Sequence, residues 1–202
     1  MSKKSQLSNA GFLLAGGKSS RMGANKAFLD FAGETLLRRA LGVLQAACGS
    51  VTIVGDPATF ASAGPVIADL FPGCGPLGGI HAALVDSGAE LNAILAVDMP
   101  FVSAELVSFL LAEAEESGAV VTVPRTRAGF QPLCAVYRRD FASTAEQALR
   151  AGNYKIDTRF ASVQPRIIEE PELAAAGFSE KNFLNINTPE DRRRAADLAT
   201  HQ

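Results

Sequence analysis

Leu14-Ala15-Gly16-Gly17-Lys18-Ser19-Ser20-Arg21-Met22-Gly23-Ala24-Asn25-Lys26 leaves the apolar run Phe12-Leu13-Leu14-Ala15 and stays rich in glycine and cations to its end. The apolar run reads as a first strand. A glycine loop that follows a strand lets backbone N–H groups approach phosphate oxygens, because no side chain holds the ligand away. Arg21 and Lys26 add positive charge to it. A dinucleotide fingerprint G-x-G-x-x-G fails here, since Gly16 is followed by Gly17 and Lys18 and the third glycine does not fall in place. A P-loop is a closer miss: Gly17-Lys18-Ser19 supplies its end, but its first glycine would have to stand at Phe12, and Gly11 is one residue early. A ligand-free strand-to-helix turn is the plain alternative, and the cations weigh against it.

Outward from this loop, short apolar runs alternate with segments of helical period, the pattern of repeated βα units feeding a mostly parallel sheet covered on both faces. Thr35 to Cys48 reads as a helix stopped by Gly49, Val51 to Val54 and Pro65 to Ala68 as strands, and Leu77 to Asp86 as a helix. Ala93 to Val97 is the most hydrophobic run and is expected at the centre of the sheet. Ser103 caps a helix burying Leu106 to Leu111, with Glu105 and Glu113 outside, and Ala119 to Val123 follows as a strand. Beyond it the pattern gives strands at Leu133 to Tyr137 and Gln164 to Ile168, and helices at Asp140 to Ala151 and Asp191 to Ala199. The fold class is therefore α/β, a doubly wound, mostly parallel sheet. No repeat or linker divides it, so residues 1–202 read as one domain, with a nucleotide-binding part over about 10–125 and an acceptor-binding part over about 126–202.

With 48% apolar residues, 20% charged residues and a net charge of −2 over 202 residues, the chain has an ordinary globular composition. A near-neutral chain lacks the positive field of a protein that wraps nucleic acid, so its phosphate ligand is expected to be small and met locally. Cys48, Cys74 and Cys134 lack the spacing of a zinc site, with only His81 and His201 beside them. Lys3 and Lys4 precede an apolar run too short for a secretion signal, and no segment is long enough to span a membrane. A soluble, cytoplasmic protein with reduced thiols is expected.

Two further stretches carry chemistry. Val97-Asp98-Met99-Pro100 ends the most hydrophobic run, and ligands of open α/β sheets bind outside the carboxyl ends of strands, so Asp98 is expected to face the crevice of the Gly16 loop. A carboxylate there suits Mg²⁺ held against triphosphate oxygens; the bland alternative is a turn or cap aspartate helped by Pro100. Asp69-Leu70-Phe71-Pro72-Gly73-Cys74-Gly75-Pro76-Leu77-Gly78-Gly79 opens a helix, and its small residues let a base or ribose approach while Asp69 accepts from their donors. A turn and helix start is again the alternative.

Residues 14 to 26, Gly75-Pro76-Leu77-Gly78-Gly79, Asp98-Met99-Pro100 and Asn185-Ile186-Asn187-Thr188-Pro189-Glu190-Asp191 together resemble the molybdenum cofactor guanylyltransferase (MobA-type) family, from about Phe12 to Leu198. The resemblance implies a three-layer α/β/α fold of nucleotide-diphospho-sugar transferase type. It implies transfer of GMP from MgGTP to the phosphate of molybdopterin carrying molybdenum, with release of pyrophosphate. It places Leu14, Ala15, Gly16 and Gly17 on the nucleotide, Lys26 on its phosphates, Asp69 on the nucleoside, and Asp98 on both GTP and Mg²⁺. Arg21 would face the triphosphate as a third catalytic group, and Asn185 and Asn187 would lie in a segment near the pterin. It further implies transient contact with cofactor biosynthesis proteins and molybdoenzyme chaperones. Gln131-Pro132-Leu133 is similar to a loop on the acceptor side, where Gln131 replaces a frequent histidine, and no asparagine near Val54, Gly55 and Asp56 matches a nucleoside contact of some members. A sister enzyme using CTP or a sugar phosphate shares the loop and the aspartate. A P-loop-like NTPase or a non-catalytic nucleotide-binding regulator is the rival from another class.

Overall fold

The computed structural model of the chain describes residues 8–16 and 25–200. In chain order its elements are β1 (Asn9–Leu14), β2 (Asp30–Phe31), β3 (Glu34–Thr35), α1 (Leu36–Ala47), β4 (Val51–Val54), α2 (Pro57–Phe60), β5 (Val66–Ile67), α3 (Pro76–Asp86), β6 (Leu91–Ala96), α4 (Ala104–Ser117), β7 (Val121–Thr126), β8 (Gly129–Phe130), β9 (Cys134–Arg138), α5 (Phe141–Arg150), α6 (Asp157–Val163), β10 (Arg166–Glu169), α7 (Glu170–Ala175) and α8 (Pro189–Thr200).

The main sheet runs β10-β7-β9-β6-β1-β4-β5, with β8 paired to β7 outside this path, while β2 and β3 form a separate hairpin. β6 stands in the middle, as its hydrophobicity requires, and each of its residues is buried. β1 pairs in parallel with β6 and β4, β4 with β5, and β7 with β10; β9 runs antiparallel between β6 and β7. The sheet is thus doubly wound and mostly parallel.

Side chains of a strand alternate between faces, and here the two faces feed two cores. Leu13, Ile53, Ala93, Leu95 and Val136 pack with Leu36, Leu44, Leu106 and Leu110 of α1 and α4. Phe12, Leu14, Val54, Ile94 and Tyr137 pack with Leu77, Ile80, Phe141 and Leu149 of α3 and α5. Helices on both faces complete the expected three layers. Gly11 permits close packing on the first face: a Cβ there would lie 3.2 Å from Leu44 and from the Cys48 Sγ. The Ser103 side chain caps α4 by accepting from the Leu106 N–H at 3.3 Å, and Gly118 ends that helix with φ 66°.

Boundaries differ from the sequence reading where pairing decides them. β1 starts at Asn9, ahead of Phe12, because its ladder with β6 begins with Asn9 opposite Leu91. β2, β3 and β8 are two residues each, too short for any period to appear, and α6 and α7 were absent from the pattern. Among the described residues no helix is long and apolar enough to cross a membrane. All three cysteines are free, and burial pushes the thiols of Cys48 and Cys134 up to about 12.

Candidate active site

Because β1, β4 and β6 are parallel neighbours, their carboxyl ends open on one edge of the sheet. The ladder continues past the strands: Val97 N–H donates to the Leu14 carbonyl at 3.1 Å, and the N–H groups of Ala15 and Gly16 both donate to the Val54 carbonyl, at 3.0 and 3.2 Å. Leu14 to Gly16 and Val97 to Asp98 therefore leave the sheet side by side. The amides of Ala15 and Gly16 already serve Val54, so these residues offer a ligand their carbonyls and the bare face of the glycine. Gly17 and Arg21 lie outside the described residues.

Lys26 opens a single 3-10 turn (Lys26–Phe28) whose first N–H groups are ordered by Asn25, the side chain of which accepts from Ala27 N–H at 3.1 Å. The turn aims the Lys26 Nζ across the sheet edge, 3.4 Å from Asp98 Oδ2 and 2.6 Å from Asn187 Oδ1. The Lys26 and Asp98 side chains are each 21% exposed, enough for solvent to screen the pair, so its value lies in orientation more than in stability. Asp98 does not cap the following helix. That task falls to Ser103, and Asp98 faces Lys26 across the crevice.

Asn187 comes from the opposite end of the chain. In Asn185-Ile186-Asn187 the apolar residue points inward, 2% exposed, and both asparagines are exposed, so the alternation itself is legible in the sequence. The Ile186 N–H donates to the Asp98 carbonyl at 2.9 Å, which docks the segment on the crevice. Immediately after it, Asp191 Oδ2 accepts from the N–H groups of Asn187 and Thr188, at 2.9 and 2.8 Å, while Thr188 Oγ1 accepts from Asp191 N–H at 3.1 Å. These bonds, the one from Asn187 foremost, hold the Asp191 carboxyl below its usual range. The motif is at once a helix start and a site contact. Only its contact with Lys26 had no signal in the sequence.

Asp69 stands apart from this group in the connection from β5 to α3. Its Oδ1 accepts from Phe71 N–H at 2.8 Å, and burial raises its carboxyl while that bond and the nearby His81 act in the opposite sense. A Cβ on Gly78 would lie 2.8 Å from both Asp69 oxygens and 3.0 Å from the Phe71 carbonyl, and one on Gly79 would lie 3.2 Å from Leu14. Internal packing alone thus excludes a side chain at Gly78 and leaves Gly79 tightly packed against Leu14. Among the described residues no hydrogen bond joins Asp69 to Lys26, Asp98 or Asn187. Asp56 is committed to capping α2, accepting from Ala58 N–H at 3.1 Å. Gln131 donates to Thr126 Oγ1 and to the Gly129 carbonyl, at 3.1 and 3.3 Å, and Leu133 accepts from Ala96 N–H at 2.9 Å, which brings this loop beside the end of β6.

Among the described residues no group of three or more His, Cys, Asp or Glu side chains is arranged to hold a metal ion. Asp98 is the carboxylate of the crevice. Such a donor set fits a hard cation that arrives with substrate phosphates and keeps water in its shell, as Mg²⁺ does, and not one that needs an all-protein cage.

Residues 11–163 match the family model described as MobA-like NTP transferase domain. The chain is 37% identical over 195 residues to the probable molybdenum cofactor guanylyltransferase of Pelotomaculum thermopropionicum, covering 96% of this chain and 94% of that protein. It is 36% identical to the molybdenum cofactor guanylyltransferase of Desulfosudis oleivorans, covering 92% and 93% of the two. Among solved structures, molybdopterin-guanine dinucleotide biosynthesis protein A from Archaeoglobus fulgidus superposes with a TM-score of 0.84 at 27% identity, covering 96% of this chain and all of that one.

Proposed function

This chain belongs to the MobA-like NTP transferase family, and from that premise we propose that it is a molybdenum cofactor guanylyltransferase, which transfers GMP from GTP to the terminal phosphate of molybdopterin carrying molybdenum. An oxygen of the acceptor phosphate bonds to the α-phosphorus of GTP, the bond from that phosphorus to the bridging oxygen breaks, and pyrophosphate leaves with the electron pair. A phosphate monoester is already anionic at neutral pH, so no general base is needed to create the nucleophile. The barrier is the approach of two anions, and it falls when fixed positive charge is aligned with them.

The observation that carries this reading is the convergence of Lys26, Asp98 and Asn187 where β1 and β6 end. Asn187 and Asp98 hold the Lys26 ammonium in place before substrate arrives, so the ammonium meets the phosphates already oriented. Leu14, Ala15 and Gly16 border the nucleotide, Asp69 reads the nucleoside, and Gly17 and Arg21 are assigned to the nucleotide by their place in the motif alone. Asn185 and the Gln131 loop face the acceptor. Asp98 would hold Mg²⁺, which supplies charge neutralisation on the triphosphate when bound. Residues 10–125 form the nucleotide part and 126–202 the acceptor part of one domain. The reaction runs in the cytoplasm, and the product passes to cofactor biosynthesis proteins or molybdoenzyme chaperones.

The test is incubation of the protein with Mg²⁺, each of the four NTPs and molybdopterin carrying molybdenum, followed by mass analysis. Acceptor-dependent pyrophosphate and a guanine dinucleotide product are expected with GTP. Preferential use of CTP, or release of orthophosphate without an acceptor, would overturn the proposal.

A further inference from the structure

The turn that carries Asp98 is gripped from three directions. Four successive carbonyls, those of Asp98, Met99, Pro100 and Phe101, accept hydrogen bonds, and only the bond from Val102 N–H to Met99, at 3.3 Å, is local. Ile186 N–H takes the Asp98 carbonyl at 2.9 Å. Arg39 of α1 donates from Nε to the Pro100 carbonyl at 2.7 Å, and Asn182 donates from Nδ2 to the Phe101 carbonyl at 3.1 Å. Both donors are themselves fixed. Arg39 pairs with Glu34 at 3.1 Å and lies 5.5 Å from the centroid of the Phe31 ring, which meets Phe101 edge-on at 5.6 Å. Asn182 accepts from Ser179 N–H at 2.8 Å, and Lys181 beside it sits 5.3 Å from the Phe101 ring.

A turn leaving a strand end would ordinarily leave such carbonyls to water, and its residues would rotate by small angles. With these carbonyls anchored on α1 and on the segment before α8, the Asp98 Cα has little freedom. We propose that Arg39 and Asn182 are positioning residues that fix the Asp98 carboxylate for a divalent cation carried by the nucleotide. Neither side chain is bonded to that carboxylate; both act through the main chain of residues 98–101. The inference rests on the reading of Asp98 in the preceding section.

Asn182→Asp is a near-isosteric test, because the remaining oxygen still accepts from Ser179 while the donor toward Phe101 becomes an acceptor. Arg39→Met keeps the aliphatic stem and removes the donor, and Arg39→Lys restores charge and a donor should Arg39→Met fail to fold. Affinity for GTP is measured by calorimetry with Mg²⁺ and with a chelator in its place, alongside the melting temperature. The expected result is an approximately tenfold loss of affinity with Mg²⁺ and a change of less than about twofold without it, with partial recovery in Arg39→Lys. Variants that match wild type with Mg²⁺, or that lose both affinities equally, would overturn the inference and leave the function intact. A wild-type protein with no metal-dependent affinity for GTP would overturn both.

Discussion

Asn187 and Lys26 stand 161 positions apart in the chain and meet at 2.6 Å, the amide oxygen of one accepting from the ammonium of the other. The lysine is thereby held between a neutral acceptor and the Asp98 carboxylate. Triphosphate can replace Asn187 as a partner of Lys26, since the ammonium then exchanges a neutral acceptor for an anionic one.

Removing either charge should abolish most catalysis while leaving the fold intact. Lys26→Ala and Asp98→Asn are expected to lower turnover a hundredfold or more, about 3 kcal/mol of transition-state stabilisation. Pre-steady-state transfer of labelled GMP, with circular dichroism as the control for folding, checks this. Near-normal rates in both variants would remove these residues from the mechanism.

Loss of the Asn187 side chain leaves Lys26 with Asp98 alone, and the ammonium is drawn toward that carboxylate and away from the phosphates. Asn187→Ala should therefore reduce kcat/KM for GTP by about tenfold, on the scale of one hydrogen bond to a charged group. Asn187→Asp should be worse, because it adds a negative charge beside the triphosphate. Steady-state kinetics at fixed acceptor concentration distinguishes the two.

Two glycines of the crevice should behave in opposite ways. A Cβ on Gly16 would meet nothing nearer than 3.7 Å, so Gly16→Ala should fold normally, and, with the nucleotide lying against this glycine as proposed, it should lose nucleotide affinity. A Cβ on Gly78 would press on both Asp69 oxygens at 2.8 Å and on the Phe71 carbonyl at 3.0 Å. Gly78→Ala should destabilise the protein by roughly 1 to 3 kcal/mol, outweighing the helix propensity it gains. Melting temperature and GTP affinity, measured on both variants, separate the two effects.

His81 supplies a pH dependence. It is 4% exposed, its Nδ1 has no hydrogen-bond partner among the described residues, and its ring meets Phe71 edge-on at 5.1 Å. Burial pushes its pKa below the ordinary 6.5, with Arg150 acting in the same sense and Glu146 and Asp69 against it. The unfolded chain then takes up a proton before the folded one, so this contribution to stability is complete above 6.5 and is lost as pH falls toward the lower folded value. Asp69, raised above 3.8, acts in the opposite direction in more acid solution. Melting temperature followed downward from pH 6.5 should fall less steeply in His81→Gln than in wild type.

The order of layers was legible in the sequence because burial imposes a period. The run around Ile94 is apolar throughout, and β6 lies at the middle of the sheet; the helical spacing of Leu36, Leu37, Ala40 and Leu44 is the buried face of α1. The two-residue strands β2, β3 and β8 left no trace. Gly16, Lys26 and Asp98 were marked as site residues by their types and by their places after strands. The sequence pointed to backbone amides of the glycine loop in general; the pairing of the Ala15 and Gly16 amides with the Val54 carbonyl came only from the ladder between neighbouring strands.

Residue type and local period thus determined the fold class and the identity of the candidate groups, both being consequences of what each side chain can bury or donate. The meeting of Lys26 with Asn187, and the hold of Arg39 and Asn182 on the turn of Asp98, were decided only in three dimensions. Hydrogen bonds between segments far apart in the chain depend on where the whole sheet delivers them, and no local pattern records that destination.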